Sequence, residues 1–408
     1  MLESRGTTMQ EAKERAGRRK PEGALRVVLA GGGTGGHLYP ALAVAERFRE
    51  AGGRVLFVGT PGGLGAKVVP DHGFPIAFVR ARGLGGGLLG TLKAACTTTW
   101  GLLQSLVLLH RERPHLVVGS GGYVCVPVVL AAALLRIPSI LMEQNAIPGK
   151  AIRLLARFAR KVCVSFPGCR FGLPEARIEV TGNPIRQDIV TRDRIQARHD
   201  LGLPVARPCL LVTGASQGAA SLNRAVLQAL DAWQSKEWTV LHLTGPKHLD
   251  EVLCRTAGRV DQGPLDYRPI GYQEDIAELY AAADLVVCRA GATTLAEITA
   301  RGLPAVLVPY PFAAERHQDH NAALLAERGA ARILSDEQVE EGLQEVVAEL
   351  FGHPDRLQDM AVASAALGRP EAAARVVQVA LEQLSGSWEQ AAAAGARARS
   401  GIEERGHG

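Results

Sequence analysis

The run Gly31-Gly32-Gly33-Thr34-Gly35-Gly36-His37 has the residue types and spacing to act on an anion or a sugar. It follows an apolar, strand-like stretch, Leu25 to Ala30, and precedes an amphipathic helical pattern, Leu38 to Glu50. A glycine turn at such a junction brings bare backbone amides to a helix start, where the amides and the helix dipole together attract negative charge. The run also satisfies G-x-G-x-x-G at Gly31, Gly33 and Gly36. A dinucleotide site would further need an acid about twenty residues on, at the end of the second strand, to hold a ribose diol. Here the second apolar run, Arg54 to Val58, ends in Gly59-Thr60-Pro61, so the nicotinamide reading fails and no cofactor is expected.

A second constellation runs from Leu285 through Arg289-Ala290-Gly291-Ala292-Thr293-Thr294-Leu295-Ala296-Glu297. The pattern predicts a strand, a turn at Gly291 and a helix opened by Thr293 or Thr294. Two accounts fit it. In a capping box, Thr294 caps the helix and Glu297 reaches back to the cap amide. In a ligand site, free amides and threonine hydroxyls hold a diphosphate while Glu297 accepts hydrogen bonds from a ribose diol, for which a carboxylate is the natural bidentate acceptor.

Further polar groups follow strand-like runs, on the loops where function gathers. These are Glu143-Gln144-Asn145, Gly182-Asn183-Pro184-Ile185-Arg186, Ser216-Gln217, and Glu315-Arg316-His317-Gln318 with Asn321. No D-x-D pair occurs in the chain, so a carboxylate cage for a metal on a diphosphate is not expected.

The elements that must position these groups alternate between strand and helix, which argues an α/β fold of parallel sheets. Strands are predicted at 26–30, 55–58, 76–79, 116–118, 139–142 and 162–164, and the pattern restarts with 209–213, 239–243, 285–288 and 305–309. The echo of a strand and glycine turn in Thr213-Gly214-Ala215-Ser216-Gln217-Gly218 predicts two Rossmann-like domains. Ligands of such sheets bind beyond the carboxyl ends of the strands, so two facing sheets share an interdomain cleft. The expected order is a disordered basic arm over 1–24, a first domain over 25–183, a linker over 184–207, a second domain over 208–368, a C-terminal helix over 369–387 and a disordered tail over 388–408.

Charge divides the 408 residues unevenly. Residues 1–183 hold 24 Lys+Arg against 11 Asp+Glu, and residues 184–408 hold 22 against 30. Between Gly59 and Met142 the only acids are Asp71 and Glu112, against Lys67, Arg80, Arg82, Lys93, Arg111, Arg113 and Arg136. Such a surface suits anionic lipid or a phosphorylated substrate. Nucleic acid is not expected, because aromatic residues make up only 5% and no binding module is recognisable. The apolar stretch between Leu84 and His110 is broken by Lys93, threonines and Gln104 and is too short in apolar run for a bilayer crossing. It reads either as a buried helix or as a face resting on a membrane surface. Seven scattered cysteines, none spaced C-x-x-C, argue against a disulfide framework or a zinc site and fit a reducing cytoplasm.

At these residues the chain resembles the MurG family of glycosyltransferases, from about Leu25 to about Leu384. The matching motifs are Gly32 to His37, Gly121-Gly122-Tyr123-Val124, Glu143-Gln144-Asn145, Gly182 to Arg186, Ser216-Gln217-Gly218 and Gly291 to Glu297. The resemblance implies a GT-B fold and inverting transfer of N-acetylglucosamine from UDP-GlcNAc to the 4-hydroxyl of MurNAc in undecaprenyl-pyrophosphoryl-MurNAc-pentapeptide. It also implies peripheral attachment to the cytoplasmic face of the cell membrane, with other cell-wall synthesis proteins as candidate partners. By motif match the donor would contact Thr34, Gly35, Gly36, Asn145, Arg186, Ser216, the turn Ala292, Thr293, Thr294, Leu295, Ala296 and Glu297, and Gln318, with uracil near Gln273. Two positions depart from the family pattern: Cys125-Val126 stands where small residues are usual, and Glu315-Arg316 where two acids are common.

His37 is the expected base, because the positive end of the following helix disfavours imidazolium. Glu143 is the alternative. Two rival functions share much of the pattern: a glycosyltransferase acting on diacylglycerol-type lipid, and a non-catalytic nucleotide-sugar sensor.

Overall fold

Thirteen short strands alternate with helices in a computed structural model that describes residues 24–83, 87–258 and 263–384. The N-terminal arm and the C-terminal tail lie outside the described residues, as do the side chains from Leu84 to Lys93.

β1 (Arg26–Gly31), β2 (Arg54–Gly59), β3 (Ile76–Phe78), β4 (Leu116–Gly121), β5 (Ser139–Glu143), β6 (Lys161–Val164) and β7 (Ile178–Val180) form one parallel sheet in the order β3-β2-β1-β4-β5-β6-β7. β8 (Cys209–Thr213), β9 (Thr239–Leu243), β10 (Asp266–Ile270), β11 (Leu285–Cys288), β12 (Ala305–Leu307) and β13 (Ala331–Ile333) form a second, in the order β10-β9-β8-β11-β12-β13. The runs are Val/Leu/Ile-rich without alternation because both faces of each sheet are covered by helices. Strand order reverses between β1 and β4 and again between β8 and β11, the places where sheets of this kind open a crevice for ligands. The expected α/β architecture of two Rossmann-like sheets is therefore present.

Three strands were not legible: β7, β10 and β13. β10 reads Asp-Tyr-Arg-Pro-Ile and β7 is three residues long, so neither offers an apolar run. Arg268 instead ties β10 down, donating to Asp266 and to the carbonyls of Leu201 and Gly202.

Helix α1 (Gly35–Glu50) covers β1 and buries Leu38, Leu42, Ala45 and Phe48. It begins three residues before the predicted start, inside the glycine run. The last described helix, at residues 372–382, returns across to this core and packs Val376, Val379 and Ala380 among the same residues. Helix α2 (Gly87–Glu112) lies against α3 (Cys125–Leu134). It buries Ala94, Ser105 and Leu109 and leaves Trp100, Leu103 and Val107 exposed.

In the second half a fully buried arginine organises the segment between the sheets. Arg198, on α4 (Arg194–Asp200), donates to the carbonyls of Ala282, Pro204, Val205 and Arg207 and to Asp284 at 2.7 Å. Asp284 also accepts the β8 amide of Cys209. Methionine at 198 would leave four carbonyls without their donor, while Asp284 keeps Arg194 at 2.6 Å and the Cys209 amide, so Arg198→Met should cost at least about 1–3 kcal/mol, the range for leaving a buried acceptor unpaired. Urea unfolding followed by the fluorescence of Trp233 and Trp238 measures this; a loss below about 1 kcal/mol would contradict it.

Candidate functional site

The carboxyl ends of both sheets open into one cleft of about 570 Å³. From the first sheet it is lined by Thr34, Gly35, Gly36, His37, Tyr39, Gln144 and Asn145. The second half contributes Ala215, Tyr272, Gln273, Tyr280, Gly291 to Thr294, Glu297, His317 and Gln318, and Arg186 lines it from the connecting segment. Twelve of the sixteen residues expected from sequence thus meet at one place. Glu143, Leu295 and Ala296 do not line it, and nothing is described of the Ser216 side chain, although its neighbour Ala215 does line it.

Two helices point their amino ends into the cleft. α1 is capped by Thr34 and α5 (Ala292–Ala300) by Gly291, neither through a side-chain hydrogen bond; the His37 amide turns back to the Thr34 carbonyl at 3.3 Å, which leaves the amides of Gly35 and Gly36 and of Ala292 to Thr294 to face an anion. The helix after β11 therefore opens at Ala292, not at Thr293 or Thr294, and the capping-box account fails. Glu297 lies well inside the helix and accepts a hydrogen bond from Tyr280 Oη at 3.3 Å, facing the cleft rather than the cap.

Pro40 has an unplanned-looking but useful consequence in α1. It lacks the amide that would bond the carbonyl of Gly36, four residues back. That carbonyl accepts Thr293 Oγ1 from the other half of the protein at 3.3 Å. Asn183 Nδ2 donates to the same threonine oxygen at 3.4 Å. Asn321, fully buried, completes the clasp: its Oδ1 accepts the Ala146 amide at 2.9 Å, and its Nδ2 donates to Asn145 Oδ1 and to the Ala290 carbonyl.

His37 is half-buried against the glycine loops. A Cβ on Gly121, which sits at φ +107, would lie 2.5 Å from His37 Nδ1, so that position has to be bare. Burial lowers the imidazole pKa, opposed by hydrogen bonds that the ring donates to Gln144 Oε1 and the Ser120 backbone, with the nearby His317 lowering it further. The balance favours the neutral ring.

Glu143, the alternative base, does not line the cleft. It is buried at the end of β5, and its carboxylate accepts the amides of Asn145 at 2.9 Å and Gly149 at 2.8 Å, with Asn145 Nδ2 at 3.3 Å. Those bonds shape the 144–149 loop that carries Asn145 into the cleft. Burial raises its pKa and the three donors oppose this.

Arg186 lies beside the Tyr39 ring and pairs with Asp188 at 3.7 Å. Burial raises Glu297 to about 7, although the Arg186 charge and Tyr280 pull the other way. Backbone strain gathers at the rim: Ala215, Glu315 and Arg316 are non-glycine residues at positive φ. The departures from the family pattern also have places. Cys125 donates its thiol to the Ala30 carbonyl beneath the glycine loops, and Glu315 pairs with Arg153 across the halves at 3.2 Å.

Sequence reasoning missed Tyr39, Tyr272 and Tyr280 as lining residues. Tyr39 stood two residues past His37 on the same helix turn. Tyr280 is inside an apolar helix pattern that gave no sign of a polar tip.

A two-sheet α/β fold with an anion-binding cleft between the sheets is that of a GT-B nucleotide-sugar transferase. Residues 27–164 match the glycosyltransferase family 28 N-terminal domain, and residues 209–376 match the family 28 C-terminal domain. Over 370 residues the chain is 45% identical to the UDP-N-acetylglucosamine--N-acetylmuramyl-(pentapeptide) pyrophosphoryl-undecaprenol N-acetylglucosamine transferase of Desulforudis audaxviator, covering 89% of this chain and 99% of that one. The enzyme of the same name from Moorella thermoacetica is 42% identical, with 88% and 99% covered. The crystal structure of Acinetobacter baumannii MurG superposes with a TM-score of 0.71 at 30% identity, over 88% of this chain and 99% of that one. The chain belongs to glycosyltransferase family 28, and within it to the MurG family.

If Glu297 reads a ribose diol in its ionised form, binding of UDP must draw its proton away. Below pH 7 the free carboxyl is protonated, so UDP affinity should rise with pH by up to about tenfold per unit and level off above 7. Glu297→Gln should weaken UDP by about 1.5–3 kcal/mol and abolish that slope, while weakening 2′-deoxy-UDP less. Calorimetric titration at several pH values checks both. An unchanged slope in the variant would contradict the assignment.

Proposed function

We infer that this protein is an N-acetylglucosaminyltransferase of peptidoglycan synthesis, moving GlcNAc from UDP-GlcNAc to the 4-hydroxyl of MurNAc in undecaprenyl-pyrophosphoryl-MurNAc-pentapeptide. The observation that carries this reading is that full-length relatives bearing that activity in their names share its whole two-domain length. The cleft supplies what such a transfer needs.

In the proposed mechanism the nucleotide lies against the second half, with its diphosphate at the free amides of Ala292, Thr293 and Thr294 and at Arg186. Uracil rests by the Gln273 backbone, the ribose diol on Glu297 and the sugar by Asn145 and Gln318. The acceptor enters beside the Gly32–Gly36 loop. Its 4-hydroxyl attacks the anomeric carbon as the bond to UDP breaks, and UDP leaves with the electron pair. His37 takes the hydroxyl proton. Helix amides and Arg186 stabilise charge developing on the leaving diphosphate. Glu143, engaged by the 144–149 loop, is the weaker candidate for the base.

The membrane contact proposed for this enzyme lies on the first half. Trp100, Leu103 and Val107 occupy one face of α2 at helical spacing, each more than half exposed. Arg80, Arg82 and Arg111 are exposed at its margins, Arg80 being tied to the helix by its amide bond to Gln104 at 2.8 Å. Lys93 lies outside the described side chains. No described helix is long and apolar enough to cross a membrane, so the attachment proposed is peripheral, to anionic lipid at the cytoplasmic face.

Release of UDP from UDP-GlcNAc on adding synthetic lipid-linked MurNAc-pentapeptide tests the function; a diacylglycerol acceptor working equally well, or no acceptor-dependent release, would overturn it. Turnover should survive EDTA, and loss restored by magnesium or manganese would contradict the leaving-group account. His37→Ala should lower kcat by roughly 10²–10⁴-fold with UDP affinity nearly unchanged. Arg80, Arg82 and Arg111 replaced together by Glu should release the protein from phosphatidylglycerol vesicles, each charge contributing about 1 kcal/mol, and equal sedimentation of variant and wild type would sink that assignment.

A further inference from the structure

The base in the proposed mechanism needs one ring nitrogen with a lone pair, and which nitrogen that is depends on a neighbour outside the reacting groups. Gln144 follows Glu143 at the end of β5 and is buried. Its Nε2 donates to the Ser120 carbonyl at 2.9 Å, and its Oε1 lies 2.9 Å from His37 Nδ1. The reverse orientation of the amide would set Oε1 against the Ser120 carbonyl oxygen, two acceptors without a proton between them. A backbone carbonyl can only accept, so the direction of the whole chain of bonds is fixed from Ser120 outward.

Ser120 is itself held. The pairing of β1 with β4 shifts register between Ala30 and Gly31, passing from Gly119 to Gly121, so Ser120 stands at an irregularity in the ladder next to the cleft. Its hydroxyl donates to the His37 carbonyl at 3.0 Å. Gly121 leaves the room that the imidazole occupies.

We infer that Gln144 is a positioning residue that holds His37 in the Nδ1-protonated tautomer, leaving Nε2 as the nitrogen that accepts the acceptor's hydroxyl proton. This rests on the reading of His37 as base and adds to it how the base is kept ready. During transfer the proton of the attacking hydroxyl goes to Nε2 while the sugar–oxygen bond forms and the bond to UDP breaks. The imidazolium keeps its Nδ1 proton on Gln144 Oε1 and returns the Nε2 proton to solvent. A carboxylate at 144 would favour the charged ring and set an oxygen against the Ser120 carbonyl; the neutral amide does neither. The other titratable group facing the ring is His317, from the helix at 317–326.

The test reads the tautomer directly. In full-length protein labelled with ¹⁵N-histidine, the His37 signals, identified by their loss in His37→Asn, should show the neutral ring protonated on Nδ1. A proton on Nε2 would overturn the inference without reference to activity. Gln144→Leu should mix the tautomers and lower kcat about tenfold or more, with KM for UDP-GlcNAc within about twofold. Unchanged tautomer and unchanged kcat in Gln144→Leu would also overturn it. A His37→Ala enzyme that keeps its turnover, while the wild-type ring carries its proton on Nδ1, would remove the base assignment and leave the tautomer assignment standing.

Discussion

The two halves of the site face each other because one buried amide belongs to both. Asn321 accepts the Ala146 amide from the loop after β5 and donates to Asn145 and to the Ala290 carbonyl after β11. Without it the Ala290 carbonyl would be buried and unpaired, at about 1–3 kcal/mol, and the bonds to the Asn145 loop would be lost, so the two loops are held at a fixed separation. Thr293, Gly36 and Asn183 add a second bridge a few residues away. The free amino ends of α1 and α5 are thereby aimed into one space rather than two. Neither end alone would make more than a weak anion site.

Within that space the chemistry is divided by half. The second sheet's side holds a carboxylate that burial has made reluctant to ionise, with Arg186 beside it, next to a helix start that favours negative charge. The first sheet's side holds a neutral imidazole under bare glycines. Burial acts on the two groups in opposite senses, removing charge from both. In the proposed mechanism a bound nucleotide restores charge to Glu297 through its hydroxyls, and an attacking hydroxyl supplies the proton that His37 lacks. The acid Glu143 contributes by shaping the loop between them, which explains a carboxylate so close to the site with no face on the cleft.

Much of this was legible in the sequence. The glycine run before α1 and the turn before α5 announced themselves because a helix start that binds anions needs small residues at a fixed place after a strand. Strand β8 and its glycine echo gave the second domain for the same reason. What stayed hidden had no local signature. β10 is polar and held by Arg268, so no apolar run marks it. Thr294 and Glu297 fit a capping box in spacing, and only the position of the true cap at Gly291 shows that they do not form one. Gln144 and Asn321 act through partners 107 and 175 residues away, distances over which a single sequence carries no pairing information.

The central claim is a single displacement across this cleft, with UDP leaving from one side as the acceptor hydroxyl enters from the other. The anomeric configuration of the product tests it most directly. With UDP-GlcNAc, whose sugar is α-linked, and a synthetic lipid-linked MurNAc-pentapeptide, proton NMR of the isolated product should show the new GlcNAc-to-MurNAc linkage to be β. An α linkage would mean retention of configuration, and a displacement by the acceptor hydroxyl with His37 as its base could not then be the mechanism.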